Sequence, residues 1–310
     1  MELAKVGTEA FILLVLGAIL SFVIPLLIAI VWKKKKKEPF STILIGAAIF
    51  LLFALILEKP IQALVISKNY SLGLFLSSHP ILLAFVLGLF PGIFEETGRL
   101  LAFKTLLKNR KNKETAISYG IGHGCFEAIA ISGMAYISYI SFACMINSGT
   151  FVNIINQVAE KAPDQVETLY TQADQIAKTS IFLVGASIIE RVLAILLQIG
   201  LSILVFYACK DKKKFWLFPL AIILHTLTDF TAGLNYVKVT NFSILELEVI
   251  LVASATITFC SAYFLLYKKD LEEQVQSFKD EMIDKMSNEM RDESKRAESG
   301  ESGSVDSDKV

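Results

Sequence analysis

Glu95, Glu96 and Arg99 share one apolar stretch of the chain, His123 and Glu127 the next, Glu190, Arg191 and Gln198 a third, and His225 and Asp229 a fourth. A charge at bilayer depth costs at least about 2.5–3.5 kcal/mol on insertion scales and persists only where it is paired, coordinated or wetted. Five carboxylates against two arginines, with neutral imidazoles, leave these stretches with a formal charge of −3. A divalent cation, or protonation of a carboxyl group, would balance it. His123 with Glu127, and His225 with Asp229, stand four residues apart and so share one face of a helix in each case. Two imidazoles with nearby carboxylates suit zinc, with coordination positions left open for water. A spare glutamate beside such an ion takes the proton of a water that attacks a polarised amide carbonyl, which is the chemistry of a metal-dependent hydrolase. Other hydrolytic designs fit less well. No HExxH or GxSxG string occurs, and Asp229 is the only Asp well inside an apolar stretch, so an aspartyl dyad has no second member.

These stretches belong to a chain of 310 residues that is 54% hydrophobic and 19% charged, with a mean hydropathy of +0.56, too apolar for a soluble domain. The apolar runs match the roughly 20 residues a helix needs to cross a hydrocarbon core. They predict an all-α, polytopic transmembrane helix bundle of about seven spans, near residues 9–32, 40–57, 81–103, 115–147, 179–208, 215–235 and 247–267, filling residues 1–267. The first run is too long for a cleavable leader and reads as a signal anchor. Alternate loops collect the basic residues of 33–37, 104–113, 210–214 and 268–269. The positive-inside rule then puts the N-terminus outside and the C-terminus in the cytoplasm of a bacterial plasma membrane. Basic and acidic residues number 30 each, which leaves no global field for nucleic acid. Cys125, Cys144, Cys209 and Cys260 fall one to a stretch, without paired spacing, and read as small core residues. No internal repeat of the kind that marks a symmetric transporter is evident.

Two polar segments remain. Residues 147–178 form an outer loop with a short surface helix. Residues 268–310 form a cytoplasmic tail in which Leu271, Val275, Phe278, Met282, Met286 and Met290 recur every three or four residues before Ser, Gly and Asp take over. The expectation is an amphipathic helix ending in disorder, either a solubilising tail or an element for homodimerisation or for the membrane surface.

Helical rise sets depth. At 1.5 Å per residue, Glu95 and His123 lie about 12 Å from the lysine-rich ends of their spans and His225 about 15 Å. Glu127 and Asp229 are one turn deeper, Glu190 and Arg191 about 25 Å deep in a second layer, and Gln198 returns to the level of the histidines. These depths favour chemistry on the cytoplasmic side. Gly88, Pro91 and Gly92 before the glutamates, and Gly120, Gly122 and Gly124 around His123, permit close approach of helices or of an extended substrate.

The strings PGIFEETGR (Pro91 to Arg99), GIGHGCFEA (Gly120 to Ala128), IIERVLAILLQIGLSILV (Ile188 to Val205) and HTLTDF (His225 to Phe230) resemble the YhfC-family intramembrane metalloproteases. That branch is similar to the type II CAAX prenyl endopeptidases and bacteriocin-processing (CPBP) proteins. The resemblance covers most of the membrane region and not the tail. It implies that Glu95 is the general base, that Glu96 and Arg99 order its surroundings, and that His123, His225 and Asp229 face the metal, with Asp229 in place of the Asn of a related HxxxN motif. Glu127, Glu190, Arg191 and Gln198 then support that set. Two departures stand out: Arg99 follows Glu95 by four residues where the CAAX-type pattern has five, and Gln198 stands where many relatives carry His.

The leading expectation is therefore a zinc-dependent intramembrane endopeptidase acting on a membrane-embedded or lipidated peptide, in contact with membrane lipid. An ion-coupled or metal transporter using the same carboxylates, and a non-catalytic self-immunity protein, are the alternatives. The plainer alternatives are an intrahelical ion pair for Glu95, Glu96 and Arg99, and a satisfied core histidine for His123, which its company with His225 at equal depth argues against; Glu190 with Arg191 reads more readily as a structural charge group. His79, beside Pro80, reads as inert, and Glu246 and Glu248 as solvating the outer end of a span.

Overall fold

The computed structural model describes residues 3–298, and among them every regular element is helical. Within a hydrocarbon layer each backbone N–H and C=O must be satisfied inside its own segment, so long apolar runs become helices. Seven helices among the described residues are long and apolar enough to cross a membrane. The first six are α1 (Thr8–Lys35), α2 (Phe40–Ile66), α4 (Pro80–Lys104), α5 (Glu114–Ser148), α8 (Ile181–Lys210) and α9, whose regular part is Leu217–Tyr236. The seventh begins as α10 (Ile244–Ala262). Shorter helices connect them: α3 (Ser71–Ser77), α6 (Phe151–Lys161) and α7 (Val166–Ala177). The chain divides into two units, Met1–Tyr263 and Phe264–Val310. In the second unit α11 (Lys269–Glu298) is a single helix with Leu271, Val275, Phe278, Met282, Met286 and Met290 exposed. The Ser/Gly/Asp-rich end expected to be disordered, from residue 299 on, lies outside the described residues.

In the first unit α8 is the central helix, with every residue from Leu197 to Ala208 buried. The most extensive pairings are α4 with α9, α2 with α5, and α8 with α5 and α10. Two glycines set the closest of these. A Cβ on Gly88 of α4 would meet the Phe230 backbone N of α9 at 2.6 Å and the Thr226 backbone O at 2.8 Å. A Cβ on Gly122 of α5 would meet the Ile43 carbonyl of α2. The glycines flanking the chemistry-bearing residues therefore bring helix backbones together, with nothing extended between them.

The structure departs from the sequence expectation in three places. Helix α2 runs to Ile66, beyond residue 57 where hydropathy ends it. The Lys59-Pro60 step reads as a helix end, yet the helix passes through it, its widened π turns over Leu51–Glu58 ending just before the proline. Residues 147–178 form two helices rather than one, and Phe151, Ile155, Ala173 and Ile176 on their apolar faces join a buried cluster with Leu13, Leu14, Tyr136 and Val184. Of the cysteines, Cys125 is buried but Cys144 is exposed on the outer face of α5, so the reading of all four as core residues is corrected; none is paired.

Candidate functional site

Helix α4 delivers Glu95, Glu96 and Arg99, all buried, with Arg99 and Glu96 inaccessible. Glu95 Oε2 lies 2.9 Å from His123 Nε2 of α5, and Gln198 of α8 donates to it through Nε2 at 3.2 Å. The same Gln198 Nε2 donates to Glu127 Oε2 at 2.8 Å. On the other side His225 of α9 has its Nδ1 2.9 Å from Glu96 Oε1 and its Nε2 3.9 Å from Glu95 Oε2. Arg99 closes the ring, with Nη1 3.3 Å from Glu96 Oε2 and Nη2 donating to the Gln198 side-chain oxygen. Four helices thus meet through one connected set of polar side chains, as burial requires. The edge of Phe50 from α2 closes one face of the His123 ring, with ring centroids 5.1 Å apart.

Each residue singled out from the sequence has a definite place. Glu127 is closer to the centre than a supporting role implies: one carboxylate oxygen each from Glu127 and Glu95 and a ring nitrogen of His123 all lie within 4.8 Å of one another. Asp229 lies 3.7 Å from His225 Nε2 with its side chain 40% exposed. Arg191 reaches inward to within 3.9 Å of Glu127 Oε1 and donates to Glu190, whose side chain is less buried. His79 is exposed and its Nδ1 pairs with the Phe75 carbonyl. Glu246 forms a capping box with Ser243 at the start of α10.

A cavity of about 730 Å³ has Glu95, Glu127, Gln198 and His225 along its wall. Volumes of this order are typical of ligand sites. Glu58, which the sequence reading leaves outside the site, is fully buried in α2 between the cavity-lining Ala54 and Gln62, with Oε1 2.8 Å from Lys59 Nζ. The Glu58-Lys59 pair lowers local hydropathy and so hides the continuation of the helix. The i,i+4 relation of Glu58 to Gln62 was the available signal.

The comparisons with known proteins bear on this arrangement. The profile of the YhfC intramembrane metalloprotease family matches residues 20–251, which include all four polar helices of the site. The chain is 34% identical over 232 residues, 74% of its own length and 86% of the relative's, to "Uncharacterized membrane protein YhfC" of Bacillus subtilis (strain 168). The chain belongs to the YhfC intramembrane metalloprotease family. It is a multi-pass membrane protein, and no solved structure matches it.

The metal implied for a YhfC-family protein fits the residues present. Three donors, two carboxylates and an imidazole, converge at Glu95, His123 and Glu127, and His225 Nε2 faces the same Glu95 oxygen. The oxygen and nitrogen donors are of the kind divalent zinc accepts. The three carboxylates of Glu95, Glu96 and Glu127 still outnumber the two guanidinium groups beside them, Arg99 and Arg191, which calls for further positive charge. His123 Nδ1 is buried with no hydrogen-bond partner, so the ring is held by Nε2 and by packing.

Proposed function

We propose that the chain is a metal-dependent endopeptidase that hydrolyses a peptide bond of a membrane-embedded or membrane-tethered substrate. The observation that carries this reading is the contact of the Glu95 carboxylate with imidazoles from two different helices, beside Glu127 and at the wall of a cavity large enough for a peptide segment. His123 and Glu127 would hold the ion, with His225 and Asp229 on its cavity side, and zinc is the metal we assign. Bound there, a divalent ion acidifies water and polarises a peptide carbonyl.

The remaining work falls to the chain itself. Glu95 accepts the proton of the attacking water and returns it to the leaving amine. Glu96 accepts from His225 Nδ1, which fixes the tautomer and turns Nε2 toward Glu95, the usual role of a carboxylate behind a functional imidazole. Arg99 neutralises Glu96 and anchors the Gln198 oxygen, so that the Gln198 amide points its N–H groups at Glu95 and Glu127. Arg191 and Glu190 border Glu127 from the deeper side. The tail, residues 268–310, is proposed to lie in the cytoplasm, with the exposed apolar face of α11 available to a second copy.

Glu95→Gln keeps the shape of the site and removes the base. Purified and reconstituted beside a membrane proteome of its host, the variant is expected to retain its metal while cleavage falls by about 10²–10⁴-fold, the usual contribution of a positioned general base. Cleavage undiminished in Glu95→Gln would remove Glu95 from the role. Loss of the metal together with activity would make it a ligand instead.

A further inference from the structure

The cavity lies on one side of the polar ring only. Walking each helix away from its lysine-rich end, α2 contributes Ala54, Lys59 and Ile66 in turn, all past Phe50. Helix α9 contributes nothing before His225 and then continues to Tyr236. Helices α4 and α8 run the other way, and their lining residues, Leu87 and Pro91 before Glu95, and Glu190 to Leu197 before Gln198, again lie on the side away from the lysines. Helix α10 lines the cavity only through its first turns, Ile244 to Leu251. The void therefore runs from the level of Glu95 and His225 to the ends of the helices opposite the lysine-rich loops.

On the other side of the ring the helices are closely packed. The Phe103 ring packs at a tilt against Tyr119 and meets Phe206 edge to face, at centroid distances of 4.8 and 5.5 Å, one helical turn from Arg99. Leu201, Ile203 and Val205 of α8 are inaccessible. Trp32 Nε1 donates to Ser118 at 2.7 Å, tying α1 to α5. At the lysine-rich surface the buried Glu38 accepts from Thr42 at 3.0 Å and Thr115 at 2.7 Å, tying α2 to α5. A buried carboxylate with several hydroxyl donors is a rigid joint, because opening it strands a charge.

We infer that the site is reached from the end of the bundle opposite the lysine-rich loops, so that its substrate is a polypeptide segment presented from that side of the membrane. By the positive-inside rule that side is the extracytoplasmic one. A peptide bond can be cut only where the substrate backbone is unwound, and an unwound backbone in a membrane protein needs hydrogen-bonding partners on the wall. Gln62, Arg191, Thr228, Asp229 and Glu248 supply such groups along the cavity. The depth of Glu95 measured from the lysine-rich ends, which favoured cytoplasmic chemistry, locates the site but not its opening. This inference rests on the proposed hydrolase reading for what enters, and on the cavity alone for where it enters.

The test uses the full chain with Cys125, Cys144, Cys209 and Cys260 replaced by alanine, and single cysteines placed by Ala232→Cys and Leu251→Cys on the cavity wall and by Lys111→Cys in a lysine-rich loop. A membrane-impermeant sulfonated maleimide is applied to intact cells and to inverted vesicles. Residues 232 and 251 are expected to react from one side at least ten times faster than from the other, and that side is the one from which residue 111 does not react. Reaction of 232 and 251 from the side of residue 111 overturns the inference, as does reaction with a membrane-permeant maleimide only. No cleavage is measured, so failure here is distinct from failure of the hydrolase reading, and the residue 111 reporter makes the outcome independent of how the chain is oriented.

Discussion

At the scale of single residues the polar ring is a set of mutual obligations. Arg99 is inaccessible and its guanidinium lies between Glu96 and the Gln198 oxygen. Removing one member of a buried ion pair leaves the other charge uncompensated, at a cost of about 3–5 kcal/mol. Arg99→Met is therefore expected to lower the thermal unfolding temperature in detergent sharply, and Glu96→Gln with Arg99→Met, which removes the stranded charge and keeps an acceptor for His225 Nδ1, to recover most of the loss. Equal unfolding temperatures for wild type and Arg99→Met would show that the pair is not what holds the ring. The residue types of this ring were legible in the sequence, because charges inside apolar runs call for partners. Which partner each one takes was not. The resemblance gives Glu127 only a supporting role, and helical rise places it one turn deeper than His123. The structure shows that the turn also carries it around toward Gln198 and Glu95.

At the scale of helices, backbone approach decides whether the ring can form. Gly122 of α5 lies against the Ile43 carbonyl of α2, so any side chain there must push the two helices apart. Gly185, on the first turns of α8, has open space around a Cβ. Gly122→Val is expected to give protein that elutes aggregated in size-exclusion chromatography, while Gly185→Ala remains monodisperse and gains up to about 1 kcal/mol from helix propensity. Matching behaviour of the two would mean that small residues around His123 serve something other than helix contact. The number of apolar helices was readable from hydropathy alone, since length and composition suffice. The extension of α2 through Glu58, Lys59 and Pro60 was not, because a local charge pair and a proline mimic a helix end, whereas the helix carries Glu58 and Lys59 as neighbouring ion-pair partners and passes the proline after a run of π turns. The packing of α6 and α7 was equally hidden, as their apolar faces close on the end of α5 and on each other in a cluster that also takes in Leu13 and Leu14 of the distant α1.

At the scale of the whole molecule, the first unit combines close packing between the polar ring and the lysine-rich ends with a cavity lined on the other side of the ring, which we read as its entrance. A void that stops at a closely packed floor suits a site where a substrate enters and products leave by one route. Neither the packing nor the void follows from hydropathy, since both depend on which faces of seven helices meet. The central claim is that side chains from α4, α5, α8 and α9 gather around one cation, and metal content tests it most directly. Elemental analysis of purified wild type beside His123→Ala and His225→Ala is predicted to find about one equivalent of transition metal, zinc foremost, in the wild type and its loss in both variants. Wild type without stoichiometric metal, or metal fully retained in both variants, would contradict it.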